Sequence, residues 1–349
     1  PRHVRRLAPA IAGVGILLVI VVENFGVGET AYLESKSWAS YDLRQYLGMA
    51  KRFAWQWMLL PGMFLLMVGN GMQGTLLGIR GALEGFSTFE MSIVMSCYFV
   101  GFLGGSRLAP EMIRRVGHVR VFAALVSLIS AVMILYPAVA NPIAWMLGRA
   151  LIGFCFSGVY VTAESWLNNA ATNDNRGQAL SLYMIVQMAG IVFAQWIVSR
   201  GDVSGYVLFI IPSILVSLAF APVLLSVKPM PAFETSKPMK LRDVVKASPL
   251  ACVGMFMLGG VFSAQFGMSA VYGSRVGLTV GEISFFVSVI YISALVLQYP
   301  IGWLSDRMDR RILILFGAAV AGAAAIGAMI LGTDFNFLLI AAFLIGGMT

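Results

Sequence analysis

The sequence predicts an all-α fold, a polytopic membrane helix bundle, and three observations predict it. Of 349 residues, 59% are hydrophobic and only 11% charged, with a mean hydropathy of +0.85, whereas soluble domains carry about 25% charged residues. Apolar runs of bilayer-spanning length, about 20 residues, recur along the chain. The basic residues cluster in the loops after every second run. A water-soluble globule needs a charged surface that so few charges cannot build, so lipid covers the outside.

Residues 1–56 stand apart from this pattern. Leu7 to Val22 is apolar but would make only about 24 Å of helix against a hydrocarbon core of about 30 Å. Crossing with Arg2, Arg5 and Arg6 inside would put Lys51 and Arg52 outside and invert every later loop. Three readings stay open: an extra helix with its N-terminus outside, an interfacial segment, or residues outside the native frame. Glu23 to Gly28 is a poor cleavage region for a signal peptide. Gly28 to Ala50 reads as loop or short surface helix.

Candidate helices then start near Trp57, Met91, Val119, Ile143, Ala179, Gly205, Pro249, Ile283, Ile312 and Phe335. Lys51 and Arg52 precede the first. Arg107, Arg114, Arg115 and Arg120 follow the second, Lys228, Lys237, Lys240, Arg242 and Lys246 the sixth, and Arg307, Arg310 and Arg311 the eighth. The first helix therefore starts in the cytoplasm. Residues 57–227 form a first six-helix half, 228–248 a cytoplasmic linker and 249–349 a second half. The starts near Trp57, Met91, Val119 and Ile143 recur near Pro249, Ile283, Ile312 and Phe335, an offset of about 192 residues, the mark of an internal repeat. The fold expected is two pseudo-symmetric six-helix halves, the second truncated after the start of the tenth helix at Thr349.

The net charge of +8 lies in these loops and orients the chain; it forms no groove for nucleic acid. Cys97, Cys155 and Cys252 sit far apart in apolar segments, as small core residues without disulfide or metal roles. There is no GxxxxGK[ST], HExxH or GxSxG and no ligand cluster, so neither enzyme activity, cofactor nor metal is expected, and no cradle for ATP phosphates is present.

The strongest motif is Gly302-Trp303-Leu304-Ser305-Asp306-Arg307-Met308-Asp309-Arg310-Arg311, between the eighth and ninth helices. Gly302 allows close helix approach, and Asp306 at a helix end can pair with Arg and face a neighbouring helix N-terminus, a separable latch. The bland reading is that these charges only cap helices and set topology. In the first half, Gly101, Gly104 and Gly105 and the basic run Arg114-Arg115-Val116-Gly117-His118-Val119-Arg120 remain, without the Asp. His118 reads as a surface loop residue before a proton relay.

The eighth-to-ninth loop resembles the cytoplasmic motif G-x-L-[AS]-D-R-x-G-R-[RK] of the major facilitator superfamily, with Asp309 in place of its second glycine. Gly148-Arg149-Ala150-Leu151-Ile152-Gly153 resembles that superfamily's fourth-helix motif, whose Arg is implicated in proton coupling. Glu164-Ser165, Asn175-Arg176-Gly177, Tyr183-Met184 and Tyr299-Pro300-Ile301-Gly302, with the Gly101 region, resemble the YcaD-like branch. The resemblance covers residues 57–349 and implies the major facilitator fold. It implies a secondary active transporter with Gly302, Asp306, Arg307, Arg310 and Arg311 as latch and Arg149 and Glu164 as proton-coupling candidates.

Arg149 cannot face lipid cheaply and so faces the cavity, a partner or, by snorkelling, the outer surface. Glu164 suits proton exchange or a salt bridge with Arg176, with nothing to choose between them. Cavity candidates come in pairs that share a helix face: Asn70 and Gln73, Tyr183 and Gln187, Gln265 and Tyr272, Tyr291 and Gln298; hydrogen bonding between helices would also account for them. Trp145, Trp166 and Trp196 read as membrane-interface anchors. The expected partners are the lipid bilayer, a small-molecule substrate and protons, for a monomer in the plasma membrane, the bacterial inner membrane. Neutral amides and Tyr favour efflux of amphipathic or metabolic compounds over uptake. The alternative is a non-transporting sensor or scaffold with the same fold, and an intramembrane enzyme comes third because no nucleophile and base pair assembles.

Overall fold

The computed structural model describes residues 59–170, 176–224, 241–305, 307–331 and 334–348. The N-terminal segment, most of the expected linker, Asp306 and the Asn173 to Asn175 stretch lie outside the described residues.

Ten helices follow one another: α1 Leu59–Leu83, α2 Thr88–Val116, α3 His118–Ala138, α4 Pro142–Ala170, α5 Arg176–Val198, α6 Val207–Ala219, α7 Pro249–Arg275, α8 Val280–Ser305, α9 Arg310–Leu331 and α10 Phe335–Met348. A further turn, Ala221–Leu224, extends α6, and a short helix, Leu241–Ala247, precedes α7. No strand occurs among the described residues. Eight of the helices are long and apolar enough to cross a membrane, and α6 and α10 are shorter apolar helices. "Outer" and "inner" ends are named below from the loop charges.

The starts of α2 and α8 have the same local cause. Ser87 Oγ accepts from the Glu90 backbone N–H at 3.2 Å while Glu90 Oε2 accepts from the Ser87 N–H at 2.8 Å, a reciprocal capping box. Thr279 and Glu282 repeat it at 3.3 and 2.8 Å. In front of each cap a glycine turns the chain, Gly85 at φ 78° and Gly277 at φ 81°, a backbone conformation that residues with a Cβ rarely adopt. Each pair of equivalents is 192 residues apart in the numbering, so the repeat is built into the loops as well as the helix lengths.

Packing repeats too. The closest helix pair is α2 with α4, where a Cβ on Gly153 would strike the Tyr98 carbonyl and one on Gly101 the Ala150 carbonyl. In the second half α8 meets α10 the same way, with Gly346 against the carbonyl of Ile290. Without a hydrophobic force between helices in lipid, small residues that let backbones approach supply the contact.

The halves meet where α1 crosses α7. A Cβ on Gly78 would lie 2.8 Å from Ala270 Cβ, and these two are repeat equivalents, so the pseudo-twofold axis runs through this contact. Gly267 of α7 lies against Met95 of α2. All these contacts involve the second, outer part of α7; Leu250, Val253 and Phe256 in its first part are strongly exposed. At the outer end, Arg275 Nη2 donates to the Phe86 carbonyl at 2.7 Å, joining α7 to the α1–α2 loop.

The first-half basic run differs from expectation. Arg107 to Arg115 reads as loop, yet α2 continues through Pro110 to Val116 and stops at Gly117, φ 84°. Glu111 bridges Arg114 at 2.8 Å and Arg115 at 2.6 Å, neutralising adjacent cations that would otherwise unwind the last turns.

Candidate functional site

Arg149 lies in the outer part of α4 and is 5% exposed. It does not snorkel to the surface. Its Nη1 donates to Gln73 Oε1 at 3.1 Å, Gln73 Nε2 donates to the Tyr136 hydroxyl at 3.3 Å, and the guanidinium carbon sits 4.7 Å from the Tyr98 ring centroid. No carboxylate pairs with it among the described residues, and its Nε has no partner. Such a cation is held by an amide, itself anchored on a phenol, and by a ring face, each weaker than an ion pair.

This cluster continues outward. Tyr136 meets Trp145 edge-on at 5.8 Å, Trp145 meets Phe86 edge-on at 4.9 Å, and the Phe86 carbonyl receives Arg275. Trp145 is therefore not an interface anchor. It is 1% exposed, and its Nε1 donates to the carbonyls of Tyr136 and Val139, because the α1–α2 loop and the end of α3 cover this end of α4. Trp166, 5% exposed, is likewise packed inside. Trp196 stacks on Phe193 at 5.3 Å, and the Arg200 guanidinium lies 4.2 Å from its ring centroid.

On the inner side of Arg149, a cavity of about 370 Å³ opens between α2, α4 and α5, lined by Phe102, Ser106, Ser157, Tyr160, Val161, Glu164 and Gln187. Ser157, Tyr160, Val161 and Glu164 fall three, four and seven residues along one face of α4. Glu164 is the single charged group of the lining, and it makes no ion pair among the described residues; the side chain of Arg176, its expected alternative partner, lies outside them. Glu164 and Arg149 are about 22 Å apart along the helix axis, 15 residues at 1.5 Å each, so neither neutralises the other.

The sequence candidates separate into two groups. Gln187 and Glu164 line the cavity, with Tyr183, 2% exposed, buried one turn below Gln187. Gln73 instead supports Arg149, while Asn70 is half-buried beside it. In the second half Gln265 is buried on α7, Tyr291 stacks at 5.1 Å on Phe266, Tyr272 is exposed near the outer end, and Gln298 reaches Met184 Sδ of α5 at 3.9 Å. Sequence reasoning missed Tyr98, Tyr136 and Phe102, although Phe102 and Ser106, four apart, form a face on α2 that spacing could have flagged.

His118 is not a surface residue. It is 3% exposed at the start of α3, with Nε2 3.2 Å from Ser165 Oγ. At the latch, Arg307 lies over the Trp303 ring at 3.8 Å. Asp309 accepts from the Arg311 N–H at 2.8 Å as the N-cap of α9, which explains an acid where the motif has glycine. Gly302 is exposed with open space around it, Arg311 is exposed on α9, and the side chains of Asp306 and Arg310 lie outside the described ones. No cluster of three His, Cys, Asp or Glu able to hold a metal occurs among the described residues.

Comparison with known proteins gives this arrangement its family. The sequence pattern of the Major Facilitator Superfamily matches residues 59–349. The MFS-type transporter YcaD of Escherichia fergusonii is 28% identical over 262 residues, covering 74% of this chain and 68% of the relative. Its namesake in Salmonella arizonae is 26% identical over 261 residues with the same coverage. Among solved structures, the nucleoside transporter NupG superposes with a TM-score of 0.69 at 15% identity over 84% of this chain and 79% of that one. A bacterial homologue of the human lysosomal transporter Spinster, inward-facing and occupied, gives 0.63 at 17% identity over 86% and 74%. At these identities the structures speak to the fold, while the sequence match along the described helices speaks to descent. The chain is an integral plasma-membrane transporter that belongs to the Major Facilitator Superfamily, in its YcaD-like branch.

Proposed function

We propose that the chain is a secondary active transporter that moves a small amphipathic solute by alternating access, driven by protons and working in the direction of efflux. The carrying observation is the cavity between α2, α4 and α5, whose single carboxylate, Glu164, has no ion-pair partner among the described residues. A carboxylate so placed can hold a proton or face a substrate, which is what exchange at one site requires. The outer closure at Arg275, the close α1–α7 crossing and the exposed inner part of α7 support an inward-facing arrangement. Arg149 then acts as the fixed positive charge behind the site, and Asp306, Arg307 and Arg310 as the inner latch. The working unit is one chain.

The test is a thermal-stability screen of purified protein against a solute library at two pH values, followed by flux in proteoliposomes. A ligand selective for the folded state stabilises by about 2.7 kcal/mol at a hundredfold excess over Kd. The proposal expects a pH-dependent shift that is lost in Glu164→Gln or Arg149→Ala, and flux that collapses with the proton gradient. Hits that behave identically at both pH values and in both variants would remove the proton coupling. A folded protein that answers to no solute would leave a sensor or scaffold as the better reading.

A further inference from the structure

We infer that the α2–α4–α5 cavity takes a monocationic solute that carries an aromatic ring; the inference rests on the reading of this cavity as the transport site.

Four observations carry it. Among the described residues the lining holds one carboxylate, Glu164, and no Lys, Arg or His. Two rings, Phe102 and Tyr160, meet there with centroids 6.1 Å apart and planes at 49°. The Tyr160 hydroxyl is engaged with Met67 Sδ at 3.3 Å, which fixes the ring in place. Ser157, 1% exposed, has a hydroxyl without a partner, and Gln187 adds an amide on the facing helix. The volume of about 370 Å³ sits at the small end of ligand pockets, enough for a fused bicyclic ring and too small for a macrocycle.

Charge decides between solute classes. An anionic solute would meet Glu164 with no cation in the lining to offset it. At the mildly alkaline pH of the test, a neutral solute that displaced water would leave Glu164 either charged and desolvated or obliged to take up a proton, and both are costly. A cation removes that penalty and gains the faces of Phe102 and Tyr160, whose quadrupoles attract positive charge. One carboxylate matches one positive charge. Arg149 does not oppose it, because it lies about 22 Å away along α4 and is screened by the Tyr98 ring.

The test is equilibrium binding to the purified full chain at a mildly alkaline pH, with N-methylquinolinium as the cation and quinoline, uncharged there, as its near-isostere. The wild type binds the cation at least about tenfold more tightly than quinoline, Glu164→Gln removes most of that preference and leaves only the small part due to the ring faces, and Glu164→Asp keeps the preference. Folding of each variant is checked by its melting curve. Saturable binding of both probes at parity in the wild type overturns the charge preference while leaving a transport cavity. A preference that survives Glu164→Gln undiminished places the cation elsewhere and overturns the assignment. Binding of neither probe, in protein that still answers to other solutes in the stability screen, overturns it as well; silence to every solute removes the underlying reading too.

Discussion

Arg275→Ala opens the outer side. The Arg275 Nη2 donation to the Phe86 carbonyl, at 2.7 Å, links α7 to the outer loop of the first half. A hydrogen bond from a charged group is worth about 1.5–3 kcal/mol, and the exposure of Arg275 to solvent sets the lower end, about 1.5 kcal/mol. The bond exists only while the halves are closed outside, so all of it is differential between the two states, and its loss shifts their ratio by roughly tenfold. Met95, 1% exposed and packed against Gly267, reports the shift when it is replaced by Cys in a background lacking Cys97, Cys155 and Cys252. A membrane-impermeant maleimide applied to right-side-out vesicles should label it about tenfold faster in Arg275→Ala. Arg80→Ala is the control, since Arg80 is on the same side but bonds Glu84 and Val203 within the first half, and it leaves the rate unchanged. Equal rates in Arg275→Ala and its parent, or equal acceleration by Arg80→Ala, would refute the closure role.

Gln73→Leu strips Arg149 of its amide partner and lowers stability in detergent by about 1–3 kcal/mol, while Gln73→Leu with Arg149→Leu recovers most of the melting temperature because the charge leaves with its partner. Failure of the double variant to recover would show that Gln73 matters for packing alone. Gly153→Ala forces α4 off the Tyr98 carbonyl at a cost of about 1–3 kcal/mol, read as loss of folded yield; Gly254→Ala, which meets open space, is neutral. Asp306→Asn slows flux with folding retained, and unchanged flux would remove the latch.

The helices were legible because bilayer thickness fixes their length: α2 to α10 start within three residues of the sequence reading. The capping boxes Ser87-x-x-Glu90 and Thr279-x-x-Glu282 stand in the sequence with the same spacing in both halves, a signal that reading for helix length alone passes over. Arg149 could be singled out as a buried cation, but its destination could not, because its holders Gln73, Tyr98 and Tyr136 come from three other helices, α1, α2 and α3. Trp145 misled for a related reason. A tryptophan near a helix end satisfies its N–H at the membrane interface or on a neighbouring carbonyl, and only the fold of the outer loop decides. Glu164 was visible, whereas Phe102 opposite it belongs to a helix whose rotation about its axis the sequence leaves open.

What the repeat keeps and what it drops divide scaffold from mechanism. Repeat equivalents 192 residues apart share the turn glycines Gly85 and Gly277, the caps, and a buried glutamine, Gln73 on α1 and Gln265 on α7. In the alternating-access mechanism proposed above, these are the parts about which two similar bodies pivot, on the axis through Gly78 and Ala270. The charges break the symmetry. The equivalent of Arg149 is Ala341, and that of Asp306 is Arg114, already neutralised by Glu111. A body with a buried cation in one half and, on the proposed reading, an acidic latch residue in the other has inequivalent inward and outward states. A ligand or proton can then favour one of them, since only differential interaction moves such an equilibrium. If that is the working principle, placing a cation at Ala341, 3% exposed, should blunt directionality in flux; the buried lysine also lowers stability, so flux is compared only in protein whose melting curve shows it folded. Flux with unchanged directionality in folded Ala341→Lys would show that the asymmetry is incidental.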